Sequence, residues 1–282
     1  MSVSRSVVAL AALLVAAVQG GPAQAAARLE PVWTLAGLES PESVALSADG
    51  TFFYVANVAG EGDARDGRGF ISRVSRDGKM LQKEWASGLH APKGAVLAHD
   101  RLYVTDIDRL VAIDLATGAA IETHAAPGAK FLNDTALAPD GTLLFSDSAN
   151  ARIYAKAGKG DVVIWAEAPE LRAVNGLSPE KDRLVVTTMA GKFLAMDYKT
   201  KAITVLAEGI GDGDGVARLD DGRYLVSEWP GRMFEVGRGG AISVILDTKA
   251  AQGFMNDFIR VGDQLIVPNW MPGSLTAYRI IQ

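Results

Sequence analysis

The sequence predicts an all-β, six-bladed β-propeller, and three observations carry that prediction. One short motif recurs six times at intervals of roughly 40 to 50 residues, the period of a four-stranded blade. Beyond the first residues, no long stretch shows the 3.6-residue periodicity of an amphipathic helix. The last repeat is one strand short, while a strand-like segment stands unused ahead of the first.

Residues 1–25 read as a secretory signal peptide: Arg5 in a short polar start, an apolar run over residues 7–18, then Gly20, Gly21 and Pro22 before Ala23-Gln24-Ala25. The run is shorter than the roughly 18 to 20 apolar residues a membrane span requires, and no comparable run follows. The expected mature chain is therefore one propeller domain over residues 26–282, periplasmic or secreted, with no membrane span.

Next comes Glu30-Pro31-Val32-Trp33-Thr34-Leu35, and then the six copies. Pro41-Glu42-Ser43 leads to Phe53-Tyr54-Val55, Pro92-Lys93-Gly94 to Leu102-Tyr103-Val104, and Leu132-Asn133-Asp134 to Leu143-Leu144-Phe145. Val174-Asn175-Gly176 leads to Leu184-Val185-Val186, Gly213-Asp214-Gly215 to Tyr224-Leu225-Val226, and Met255-Asn256-Asp257 to Leu265-Ile266-Val267. Tight turns follow the first strand at Asp49-Gly50, Asp140-Gly141 and Asp221-Gly222, and the third strand at Asp77-Gly78, Thr117-Gly118 and Gly239-Gly240. After residues 274–280 the chain stops, leaving blade six without its outer strand. Residues 30–35 are expected to supply it, closing the ring by pairing the two ends of the chain and removing the free edge that a β-sandwich or open array would leave.

Composition narrows the chemistry. Without cysteine there is neither a disulfide framework nor a thiolate metal site. The net charge is −5 and the basic residues are scattered, so nucleic acid is not an expected partner. A small molecule is the expected ligand, and nothing in the sequence identifies a protein partner.

In a propeller the inner strands start at one rim of the central channel, and the turns between second and third strands return to it. The starts bring Glu42, Lys93, Asn133, Asn175, Asp214 and Asn256 together, with Asp134 and Asp257 one step further in. The second-strand ends add Asn57, Asp106, Asp147, Thr188, Glu228 and Asn269, with Trp229, Trp270 and Met189 as apolar walls. Such a rim is a polar pocket with aromatic sides, the usual form of a small-molecule site. Asn and Asp also cap turns, but Glu42 and Lys93 are not turn residues, which favours a site. Lys93, Asn133, Asp134, Asn256, Asp257, Glu228, Trp229 and Trp270 are the candidate substrate contacts. For Glu42, Asn133, Asn175 and Asp214, hard oxygen donors favour calcium over zinc or copper, with another divalent ion as the alternative. Of the three histidines, only His90 falls near the rim, as a proton carrier or a solvated loop residue. No Gly-x-Ser-x-Gly elbow or Walker loop is present. The charged, glycine-rich residues 59–69 form either a lid over the pocket or a solvated loop.

These residues resemble the senescence marker protein, gluconolactonase and luciferin-regenerating enzyme family of six-bladed propellers. The likeness lies in Pro41-Glu42-Ser43 before Ala48-Asp49-Gly50, Phe131-Leu132-Asn133-Asp134, Val174-Asn175-Gly176-Leu177-Ser178-Pro179, Asp214-Gly215 and Asn256-Asp257-Phe258. The resemblance implies that Glu42, Asn175 and Asp214 coordinate one divalent ion, that Asn133 contacts substrate or metal, and that Asp214 is the catalytic base. Lys93 departs from the pattern, because a cation there repels a metal unless it is turned toward substrate or paired with Asp257, Asp134 or Glu42. The activity implied is calcium-dependent hydrolysis of lactones or related esters. The alternatives are a non-catalytic periplasmic protein that captures a sugar acid, with Lys93 as its charge partner, and a protein-interaction platform.

Overall fold

The computed structural model describes residues 26–281, so the expected signal peptide lies outside the described residues. Six four-stranded antiparallel sheets are arranged as blades. Blade one is Pro41–Leu46, Phe52–Asn57, Gly69–Ser75 and Met80–Leu89; blade two is Pro92–Ala98, Arg101–Asp106, Arg109–Asp114 and Ala120–Ala125. Blade three is Leu132–Leu137, Leu143–Asp147, Arg152–Lys156 and Val162–Glu167; blade four is Val174–Pro179, Arg183–Thr188, Lys192–Asp197 and Ile203–Glu208. Blade five is Asp212–Arg218, Tyr224–Trp229, Arg232–Val236 and Ile242–Asp247. In each, the strands follow chain order from the axis outward, and the inner strands of neighbouring blades touch.

Blade six takes Ile259–Val261, Gln264–Asn269 and Ser274–Ile281 from the end of the chain and Arg28–Ala36 from its beginning as the outermost strand. Arg28 stands opposite Ile281 and Ala36 opposite Ser274, with one bulge between Pro31 and Trp33. The ring therefore closes as the sequence predicts. Among the described residues the helical content is two single 3-10 turns, Pro169–Leu171 and Lys249–Ala251, and no helix is long and apolar enough to cross a membrane.

The apolar triplets of the second strands owe their continuity to burial on both faces. Phe53 and Val55 pack with Ile266 and Leu275 of blade six, while Tyr54 and Ala56 pack with Leu102 and Val111 of blade two. Clusters of the same kind fill every other blade boundary. The first turn of the repeat is built on its aspartate: Asp49, Asp140 and Asp221 each accept a hydrogen bond from the amide two residues on, at 2.9–3.1 Å. Gly50 adopts a φ of 70°, open to glycine at no steric cost.

Candidate functional site

A shared backbone irregularity aims the pocket side chains. In blade one Pro41 pairs with Asn57, the register slips by one, and pairing resumes at Val44 with Val55. The same slip separates Pro92 from Ala95, Leu132 from Thr135, Val174 from Leu177 and Gly213 from Val216. Blade six repeats it between the Met255–Asn269 bridge and the Ile259–Ile266 pair. A bulge releases residues from the ladder and re-aims them. The first residue inside each slip is Glu42, Lys93, Asn133, Asn175, Asp214 or Asn256, and all six line one pocket of about 250 Å³.

Hydrogen bonds between blades fix these backbones. Ser43 Oγ donates to the Lys93 carbonyl, Thr105 Oγ1 to that of Asn133, and Ser148 Oγ to that of Val174. Thr187 Oγ1 donates to the Asp214 carbonyl, Ser227 Oγ to that of Asn256 at 2.8 Å, and Asn256 Nδ2 to that of Pro41 at 2.9 Å, completing the circuit. The glycines after Lys93, Asn175 and Asp214 have a related cause. A Cβ on Gly94 would collide with the backbone of Asn133, Asp134 and Thr135, one on Gly176 with the Asp214 carbonyl, and one on Gly215 with Asp257 and Phe258.

Phe131, Met189, Trp229, Trp270 and Gly62 complete the lining. Phe131 and Gly62 escape the sequence reading, although Phe131 stands in the motif beside Asn133 and Gly62 lies in the 59–69 insertion. That insertion reaches over the pocket. Lys93 Nζ donates to the Gly62 carbonyl at 2.5 Å and lies 4.2 Å from the centre of the Phe131 ring. Lys93 is thus held by a carbonyl and an aromatic face, and not by a carboxylate as one reading of the sequence required. His90 accepts a hydrogen bond from Gly67 through Nδ1, so it braces the insertion and does not line the pocket.

Several expected contacts lie elsewhere. Asp134 and Asp257 open to the opposite mouth of the channel, a cavity of about 760 Å³, because the chain runs on from the bulge toward that mouth, where Thr135, Ala136 and Leu137 also line it. Asp134 accepts the amides of Thr135 and Leu177, both at 2.6 Å, and Asp257 that of Phe258 at 2.7 Å. Glu228 is taken up by Arg232 at 2.6 Å and Lys249 at 3.0 Å. Asp106 and Asp147 are also structural, accepting the amides of His90 and Ala91 and of Lys130 and Phe131. Asn57 holds the Glu39 amide, Thr188 that of Lys192, and Asn269 donates to Ser274.

Four carboxyls share the channel with one ammonium. Burial pushes Glu42 well above the usual carboxylate range, reinforced by Asp214 and Asp257 and opposed by Lys93. Asp214 is raised by burial and by Asp257 against a hydrogen bond from the Asn175 side chain, and Asp134 by burial and by Asp257. Burial lowers Lys93, with Glu42 acting against the shift. Within this group, Asp214 Oδ1 and Asn175 Oδ1 are buried without a hydrogen-bond partner. Uncompensated acceptors of this kind are costly, and a cation would satisfy both together with the nearby Glu42. Among the described residues no three His, Asp or Glu side chains gather as metal ligands; the oxygens in this pocket come from the carboxylates Glu42 and Asp214 and from the amides Asn133, Asn175 and Asn256.

No family model matches the chain, and no curated protein matches it in sequence. Solved structures do. A streptogramin B lyase structure aligns with a TM-score of 0.63 at 12% identity, covering 91% of this chain and 98% of the other. Selenomethionine-substituted virginiamycin B lyase from Staphylococcus aureus aligns with a TM-score of 0.63 at 13% identity, over 91% of this chain and 100% of that one. A catalytically inactive histidine-to-alanine variant of the same lyase, with quinupristin, gives 0.62 at 13% identity and the same coverage. Similarity at this level of identity establishes a shared propeller fold.

Proposed function

We propose that this chain is an exported hydrolase of lactones or related esters, with a divalent cation held in the pocket by Glu42, Asn175 and Asp214 and with Asn133 beside them. The observation that carries the reading is the pair of buried, unpartnered oxygens, Asp214 Oδ1 and Asn175 Oδ1, in a pocket whose carboxyls are pushed up by burial and mutual repulsion. Carboxylate and amide oxygens suit calcium. The chemistry such an ion supplies when bound is polarisation of the ester carbonyl and stabilisation of the developing oxyanion. Asp214 is the candidate base: burial and Asp257 raise its proton affinity, and such a carboxylate accepts a proton from attacking water more readily than an ordinary one. Lys93, fixed over Phe131, offers a donor to a substrate oxygen, and Trp229 and Trp270 keep water from one side.

The structural neighbours act as lyases, and one of them is inactive as a histidine-to-alanine variant. Here the lining groups that can take up a proton are the carboxylates Glu42 and Asp214. Non-catalytic capture of a small organic anion is the second reading, favoured by the buried ammonium of Lys93. The two separate on turnover. Chelator-stripped protein is reloaded with calcium and followed by pH-stat against a panel of lactones and esters. Calcium-dependent turnover that falls 100-fold or more in Asp214→Asn, the scale of general-base catalysis, supports hydrolysis. Ligand binding with no turnover on any member of the panel supports capture instead.

A further inference from the structure

The pocket lining combines two chemistries. Every blade supplies one polar residue, Glu42, Lys93, Asn133, Asn175, Asp214 or Asn256, whereas the apolar Met189, Trp229 and Trp270 stand together at the second-strand ends of blades four to six, and Phe131 precedes the inner strand of blade three. The residues at the matching position of blades one to three are Val58, Ile107 and Ser148. None of them is aromatic, and Val58 and Ile107 are buried in a cluster against which Trp270 packs. The apolar wall is well supported: Trp229 meets Trp270 edge to face at 6.1 Å and Phe254 in the same way at 5.7 Å. It also reaches solvent, with Met189 37% exposed.

Deepening the hydrolase reading, and resting on it for the reacting end, we infer that the substrate is amphipathic: a lactone or ester whose alkyl or aryl arm lies along Met189, Trp229 and Trp270, with its carbonyl end toward Lys93, Asn133 and Asp214. The six polar residues can pair one end of a ligand, but hydroxyls of a polyhydroxylated sugar lactone that face Met189, Trp229 and Trp270 would lose water for little in return, whereas an apolar arm on that side gains from the same desolvation. The pocket, of about 250 Å³, has room for a ring and a short arm, and a longer arm would leave past the exposed Met189.

The test uses the full calcium-loaded protein and a series of γ-lactones with side chains from none to hexyl, with gluconolactone alongside. The expected result is a kcat/KM that rises by up to about fourfold per methylene over the first few carbons, the limit set by full burial of each group. Gluconolactone is expected to be the poorest member. Trp229→Ala and Trp270→Ala should flatten the slope against chain length, whatever they do to the shortest lactone, and the wild-type series decides the matter even if a variant fails to fold. In parallel, calorimetry measures binding of straight-chain carboxylates of increasing length, which needs no catalysis. Turnover independent of chain length, or best with gluconolactone, overturns the amphipathic substrate and leaves the hydrolase standing. Chain-dependent binding without turnover keeps the apolar arm and removes the hydrolase. Chain-independent binding together with no turnover overturns both.

Discussion

Burial pushes the carboxyl of Asp257 up to about 7, so this group is neutral in acid and becomes a buried anion as the pH passes neutrality. A folded-state value above the unfolded one means that the native protein holds the proton more tightly. The stability this confers is complete below about pH 4 and is lost as the pH rises through about 7. Glu42, Asp134 and Asp214 are raised and carry the same sign. In chelator, the melting temperature is therefore expected to fall between pH 5 and pH 8, and Asp257→Asn should remove part of that fall. At ~1.4 kcal/mol per tenfold change in proton affinity the effect amounts to a few kcal/mol. A variant whose melting temperature falls as steeply as the wild type would show that Asp257 is not responsible. Lys93→Met keeps an apolar stem over Phe131 but loses the bond to the Gly62 carbonyl, so proteolytic cleavage within residues 59–69 should quicken; unchanged cleavage would mean that Lys93 does not secure the insertion. Glu42 and Lys93 were legible as pocket-lining residues because neither belongs in a turn. Asp134 and Asp257 were not, since a single step along a bulged strand carries a side chain to the other mouth of the channel. Glu228 was lost to Arg232, four residues on in the next strand, and to Lys249, whose approach across the blade no local pattern announces.

At the level of the inner strand, the bulge and the hydroxyl that braces it form one device. Repetition in the sequence revealed where the device sits, but its parts were hidden, because a bulge has no residue signature and Ser43, Thr105, Ser148, Thr187 and Ser227 read as ordinary strand hydroxyls. The glycine after Asn175 is required by proximity: its neighbour is the Asp214 carbonyl of the next blade. Gly176→Ala is expected to destabilise by about 2–3 kcal/mol, the scale of overpacking in a core, seen as a lower denaturation midpoint with an unchanged m-value. A neutral result would mean that the inner strands separate freely. Thr187→Val removes the bond to the Asp214 carbonyl while keeping volume, and should cost about 1 kcal/mol. If Asp214 is the base, it should also lower kcat more than it raises KM; an effect on stability alone would limit the bond to a structural role.

Across the whole molecule, the ring is held by the strand that begins the described chain. Arg28–Ala36 pairs with Ser274–Ile281 along its length, and Trp33 and Leu35 pack against the cluster between blades six and one. This closure was legible from a shortage at one end of the sequence and a surplus at the other. Deleting residues 28–35 should lower the melting temperature by about 10 °C or more, from the loss of several kcal/mol, and an unchanged melt would mean that the ring holds without that strand. The same melt reports the ion. A ligand bound only by the native state adds about 2.7 kcal/mol at 100 times its dissociation constant, or roughly 5–10 °C for a chain of this size. The decisive measurement is calcium titration of chelator-stripped protein by calorimetry, paired with its melting curve, for the wild type, Glu42→Gln and Asp214→Asn. One calcium per chain is expected in the wild type, with a higher melting temperature, and both should weaken in each variant; no heat and no thermal shift in the wild type would contradict an ion site at Glu42, Asn175 and Asp214.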